Sequence, residues 1–141
     1  MKALKESAKI LVAYDGSEYS KKALNEAIDI AKKFLGSITL LHVYWDPSEI
    51  QRFEGTELRD LPSLRLLDDA EEGLKAANIK YEVRCEHSNN TPNSILRVAK
   101  EEGFDCIAIG SRGLGGAKAW LLGSVSSKVV AEAECTVIVA K

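Results

Sequence analysis

Short apolar runs and amphipathic stretches alternate along this chain, and the alternation predicts its architecture. Lys9–Tyr14 reads KILVAY, an apolar run of strand length. Beyond it Leu24, Ala27, Ile28, Ala31 and Leu35 recur at the spacing of one helix face, with Ser17 placed as N-cap and Gly36 as the stop. Ser37–Tyr44 is the second strand, apolar at Ile38, Leu40, Leu41 and Val43 as a strand buried on both faces should be. Trp45–Leu61 follows neither period and reads as a mobile connection with a short helical turn. Pro62 opens a second helix to about Ala77, with Leu64, Leu67, Ala70, Leu74 and Ala77 on one face. Lys80–Glu86 is the third strand. Thr91 and Pro92 read as the cap and first-turn proline of a helix that continues through Ile95, Leu96 and Ala99 to Gly103. Asp105–Ile109 is the fourth strand, Val125–Ala133 the last helix and Thr136–Ala140 the fifth strand.

Strands alternating with helices predict an α/β fold: an open sheet of five parallel strands with helices on both faces. The pattern does not specify the order of the strands. No repeat, low-complexity tract or linker divides the 141 residues, so residues 1–141 are expected to form one domain.

Composition narrows the function classes. Hydrophobic residues make up 45% and charged residues 28%, the balance of a globular protein. The formal net charge of −2 supplies no broad basic field, so nucleic acid is not an expected partner. No apolar run has the length of a membrane span, and the start, Met1–Glu6, lacks the apolar region of a secretory signal; a cytoplasmic location is expected. Cys85, Cys106 and Cys135 fall in or beside apolar runs and read as buried, reduced thiols. His42 and His87 have no second ligand at metal spacing, and His42 sits inside a strand as an interior residue.

The chemistry concentrates after the fourth strand, where residues 110–126 read GSRGLGGAKAWLLGSVS. Gly110 and Gly113 are separated by two residues, and nine more precede Gly123-Ser124. A strand, a glycine loop and a helix start form an anion-binding arrangement: glycines let backbone N–H groups approach oxygens, and the helix start adds unpaired donors. The loop is neither a Walker A loop nor a dinucleotide fingerprint; the first strand is followed only by Asp15-Gly16-Ser17. A glycine loop of this length is functional more often than an idle connection. Arg112 and Lys118 are its cations, able to balance phosphate charge or simply to face water. Asp15, just past the first strand, serves equally well as an Asx-turn residue or as a carboxylate for ribose hydroxyls or a phosphate-bound Mg²⁺.

The spacing G-x2-G-x9-G-[ST] resembles the ATP-binding branch of the universal stress protein family. The likeness extends over nearly the whole chain, from Ile10–Ser17 through Leu41-His42-Val43 to Cys135–Ala140. It implies a Rossmann-like sheet of strand order 3-2-1-4-5, which sets strands 1 and 4 together and turns Asp15 and the glycine loop into one crevice. It implies ATP as ligand, with Mg²⁺ held at Asp15. Val43 then reads the adenine edge through its backbone, and Ala13 lies under the base. Gly110, Gly113, Gly123, Ser124, Val125 and Ser126 match the family's phosphate and ribose contacts, and Arg112 adds a loop cation. The resemblance further implies a stress-response or signalling module and a homodimer built on Thr136–Ala140. Spacing assigns no catalytic set. A slow Mg²⁺-dependent ATPase and a nucleotide-independent interaction protein are the competing readings.

Overall fold

A computed structural model of the chain describes residues 7–45, 65–113 and 122–141. The expected connection after Trp45, the helix opening at Pro62 and Leu64, and Lys118 lie outside these residues. Five strands, β1 (Lys9–Ala13), β2 (Ser37–Tyr44), β3 (Tyr81–His87), β4 (Cys106–Gly110) and β5 (Thr136–Ala140), form one parallel sheet in the order β3-β2-β1-β4-β5. Four helices are described: α1 (Glu18–Lys33), α2 (Leu66–Ala76), α3 (Thr91–Glu101) and α4 (Ser124–Glu132).

Alternation within the strands builds two apolar layers. Ile10, Val12 and Leu40 point to one face, where they pack with Leu24, Ala27 and Leu74 of α1 and α2. Leu11, Leu41 and Ile107 point to the other, against Ile95, Val98 and Val129 of α3 and α4. Each such fully buried aliphatic side chain contributes about 1.5–3 kcal/mol, so the sheet is clamped from both sides along β1 and β4, the strands that carry the site.

Several boundaries differ from the sequence reading, for local reasons. Ser17 caps α1 as expected, accepting from Ser20 N at 3.1 Å. At the other end the left-handed position is Leu35 (φ 50°), not Gly36; Gly36 instead donates its N–H to Ala31 O at 2.8 Å and closes the turn. The N-cap of α3 is Asn90, whose side chain accepts from Asn93 N, so Thr91 is the first helical residue rather than the cap. The last helix begins at Ser124, one residue before Val125. β4 is displaced by one residue because Asp105 is used to fasten the strand: its carboxylate accepts from Lys9 N at 2.9 Å.

The two sheet edges differ. β3 carries Glu82, Arg84 and Glu86, and Glu86 is ion-paired to Arg97 of α3. β5, reading TVIVA, has no charge, and Thr136–Val139 are only half-buried.

All three cysteines are free thiols; Cys106 is buried, while Cys85 and Cys135 are half-buried rather than enclosed. Burial pushes the Cys106 thiol up to about 12, with smaller contributions from Cys135 and Asp105. The reactive thiolate is therefore scarce at pH 8. Cys106 is expected to resist a soluble disulfide reagent in the native protein and to react on unfolding in guanidinium. Peptide mapping of the labelled thiols checks this; native labelling of Cys106 as fast as in denaturant would contradict it.

Candidate functional site

The site is assembled where the carboxyl ends of β1, β2 and β4 meet the starts of α3 and α4. β1 stops pairing with β2 at Ala13↔Leu41. The chain then turns through Gly16, in the left-handed region at φ 83°. Two bonds fix this turn: Tyr14 N donates to Leu41 O at 2.9 Å, and His42 Nδ1 donates to Tyr14 O at 2.8 Å. His42 is buried, so this neighbour of Val43 is an interior residue that fixes the approach to Asp15.

Asp15 combines both of its sequence-level readings. Oδ1 accepts from Ser17 N at 2.9 Å, an Asx turn that leads into α1. Oδ2 faces the glycine loop: a Cβ placed on Gly113 would come within 2.6 Å of it. A side chain at Gly113 would therefore have to displace this carboxylate, and the φ of Gly113 lies outside the left-handed region.

β2 continues three residues past its last pair with β1. Leu41 O points toward β1, accepting from Tyr14, and Tyr44 O points toward β3, accepting from Ser88 N. Strand alternation then directs the N–H and C=O of Val43 to the β1 side, beyond the last β1 pair. One donor and one acceptor at fixed spacing therefore face the crevice instead of the sheet.

β4 leads into Gly110-Ser111-Arg112-Gly113. Gly110 is required for packing against α1: a Cβ there would lie 2.7 Å from both the Tyr19 carbonyl carbon and its Cβ. Ser111 ties the loop to its return. Its carbonyl accepts from Gly123 N at 2.7 Å and from the buried Ser126 hydroxyl at 2.8 Å, while its N–H donates to Ala140 O. The Ser126 proton is therefore committed to holding the loop. Arg112 is not a free-standing cation: its guanidinium lies 4.7 Å over the Tyr19 ring and donates to the Tyr19 hydroxyl.

The start of α4 differs from those of α1 and α3. Those two are closed by the side chains of Ser17 and Asn90, whereas the N-cap of α4 is Gly123, which has no side chain to offer. The amides of Ser124, Val125 and Ser126 precede the first helical bond, Ser127 N to Gly123 O. Gly123 itself sits at φ −67°, and a Cβ would meet nothing nearer than 3.4 Å, so neither strain nor crowding requires glycine there.

One cavity of about 360 Å³ joins these parts. All ten residues singled out in the sequence, Ala13, Asp15, Val43, Gly110, Arg112, Gly113, Gly123, Ser124, Val125 and Ser126, line it. Sequence reasoning missed Tyr14, Ser20, Leu41, Thr91, Ile95 and Ile109, which also line it. Leu41, Ile95 and Ile109 look like any other core position in the pattern, and Thr91 was read as a helix cap. The arrangement has two chemical ends. Near β2 and α3 it is apolar, with the Val43 backbone exposed; near β4 and α4 it offers glycine amides and an uncapped helix start beside the Asp15 carboxylate. An elongated ligand with a flat apolar end and an anionic end fits that polarity.

Comparison with known proteins agrees with this class of fold. The model of the universal stress protein family matches residues 6–141. The chain belongs to the universal stress protein family. Universal stress protein YxiE of Bacillus subtilis (strain 168) is 34% identical over 149 residues, covering 94% of this chain and 98% of that protein. The solved structure of the protein MJ0577 superposes with a TM-score of 0.79 at 26% identity, covering 96% of both chains. A universal stress protein from Archaeoglobus fulgidus, solved in complex with dAMP, superposes with a TM-score of 0.72 at 21% identity, covering 95% of this chain and 98% of that one; the likeness there is one of fold.

Proposed function

We propose that residues 1–141 form a single adenine-nucleotide-binding domain, a cytoplasmic stress-response or signalling module that holds ATP in the crevice at the ends of β1 and β4. The observation that carries this reading is the uncapped start of α4 at one end of a cavity whose other end is apolar and exposes the Val43 backbone. The base lies in the apolar end, with Ala13 beneath it and its edge on the Val43 N–H and C=O. Ribose hydroxyls lie beside Asp15 and Gly110. Phosphates lie against the amides of Gly113, Ser124 and Val125, with Gly123 lining the cavity beside them, its own N–H held by Ser111 O, and Arg112 near the start of the loop. That a protein of the same fold was solved with dAMP supports an adenine nucleotide as the occupant.

Mg²⁺ fits this arrangement only together with the phosphates. Among the described residues no group of three or more His, Cys, Asp or Glu side chains is placed to hold a metal. Asp15 supplies one carboxylate oxygen facing Gly113, and a single carboxylate plus phosphate oxygens is an ordinary Mg²⁺ environment. The cation would screen phosphate charge there.

The expected result is that ATP raises the melting temperature and that Mg²⁺ increases the shift. Ligand at about 100 times its Kd contributes about 2.7 kcal/mol to the folded state. Asp15→Ala is expected to reduce the shift and its Mg²⁺ dependence. A thermal unfolding series with no shift by ATP at millimolar concentration would overturn the reading.

A further inference from the structure

We propose that Thr91 is a ligand contact at the base end of the cavity, its hydroxyl hydrogen-bonded to the edge of the bound nucleobase; this rests on the adenine-nucleotide reading above. Three observations lead to it. The first is that α3 needs nothing from this hydroxyl. Asn90 is the N-cap: its Oδ1 accepts from Asn93 N at 3.2 Å, and its carbonyl accepts from Ser94 N at 3.1 Å. Pro92, the next residue, has no N–H to satisfy. The first turn is thus closed by groups other than the threonine side chain, and Thr91 is among the residues that line the cavity.

The second observation is position. β3 flanks β2 on the side away from β1, so the turn into α3 lies beyond Val43. The glycine loop and the start of α4 follow β4, on the other side of β1. Thr91 and the anion-binding amides therefore stand at opposite ends of the crevice. Ile95, four residues on and 1% exposed, shares a helix face with Thr91 and packs into the layer that contains Leu41. That shared face directs both side chains toward the sheet end where the base lies.

The third observation is chemical contrast. Ala13, Leu41, Val43 and Ile95 give the base end its apolar walls, and Thr91 adds a polar residue there. Apolar walls hold a planar ring by its faces. Its edge nitrogens lose water on entry and need hydrogen-bond partners. Val43 offers a fixed donor and a fixed acceptor. A hydroxyl either donates or accepts, so Thr91 can satisfy an edge atom of either kind. In this division of labour Val43 selects the base and Thr91 adds affinity for whichever base occupies the slot.

Titration calorimetry of wild type, Thr91→Val and Thr91→Ser with ATP, AMP and inorganic tripolyphosphate tests this. Valine keeps the branched shape and removes the hydroxyl; serine keeps the hydroxyl. We expect Thr91→Val to bind ATP and AMP about tenfold more weakly, by the same factor for both, with tripolyphosphate unchanged and Thr91→Ser near wild type. ATP and AMP affinities unchanged in Thr91→Val overturn the proposal, as does an equal loss for tripolyphosphate, which would place the effect at the anion end or in the fold. A wild-type protein that binds neither ATP nor AMP overturns the nucleotide reading itself. A wild type that binds both beside an indifferent Thr91→Val overturns only the role given to Thr91.

Discussion

Gly113→Val is expected to abolish ATP binding while the protein remains folded. A Cβ at this position would come 2.6 Å from Asp15 Oδ2, a separation that forces movement. Asp15 cannot swing aside without cost, because its Oδ1 is held by Ser17 N at the turn into α1. The valine side chain thus displaces the carboxylate and fills the space through which a phosphate would reach the loop amides. A loss of about 100-fold or more in affinity is expected, roughly the loss of 2.7 kcal/mol of binding free energy. Folding survives because the site is at the rim of the sheet and Gly113 is not in the left-handed region. Gly123→Ala is the matched control: its Cβ meets only ordinary contacts, the nearest at 3.4 Å, so most of the affinity should remain. Circular dichroism establishes the fold of both variants and calorimetry their affinities. Wild-type affinity in Gly113→Val would show that the cavity rim is not where the anion sits.

The second large effect concerns association. We propose that the chain forms a homodimer by pairing β5 with β5 of a second copy across a twofold axis. β5 is an edge strand, uncharged and half-buried, while the opposite edge, β3, is guarded by Glu82, Arg84 and Glu86. An uncharged edge is an open invitation to pairing, and charges on an edge are a common way of preventing it. Antiparallel pairing of identical strands covers both open edges with one interface. The ladder also identifies which residues face outward. Ser111 N donates to Ala140 O, so Ala140 and, by alternation, Ile138 bond toward β4, while Val137 and Val139 bond outward. Val137→Pro should therefore remove an outward donor and give a folded monomer. Ile138→Pro should break the β4–β5 ladder inside the subunit and lower the melting temperature. Light scattering with thermal unfolding reads both effects. A monomeric wild type at tens of micromolar, or a Val137→Pro variant that stays dimeric, would exclude β5 pairing.

How far the chain can be read without its structure depends on which physical signal a residue carries. Parallel strands buried on both faces leave long apolar runs, and Ile10–Ala13 and Cys106–Ile109 are legible for that reason. The glycine spacing pointed to residues that line the cavity, but not to what each glycine does. Gly110 packs on Tyr19, Gly113 makes room for the Asp15 carboxylate, and Gly123 is not crowded at all. Those differences depend on neighbours far away in sequence. The same holds for Ser111, whose role is a backbone carbonyl shared by Gly123 and Ser126, and for Tyr19, which holds Arg112. Helix ends failed where two residues compete for one task. Asn90 and Thr91 are both good caps, and it is Asn90 whose side chain accepts from the helix, at Asn93 N. Leu35, largely exposed, takes the left-handed conformation that local preference would have assigned to Gly36, and Gly36 serves instead by close approach, since a Cβ there would lie 2.5 Å from Ala8 O.

Calorimetric titration of the wild-type protein with ATP, AMP, GTP and NAD tests the central claim most directly. The crevice described here predicts saturable heats for the adenine nucleotides. ATP should be tightest, because its phosphates reach the start of α4. GTP should be clearly weaker, because the Val43 N–H and C=O form a fixed donor–acceptor pair that a guanine edge does not match in the same pose. Equal affinities for GTP and ATP would remove the base-reading role from Val43, and the absence of heat with every adenine nucleotide would contradict the proposed function.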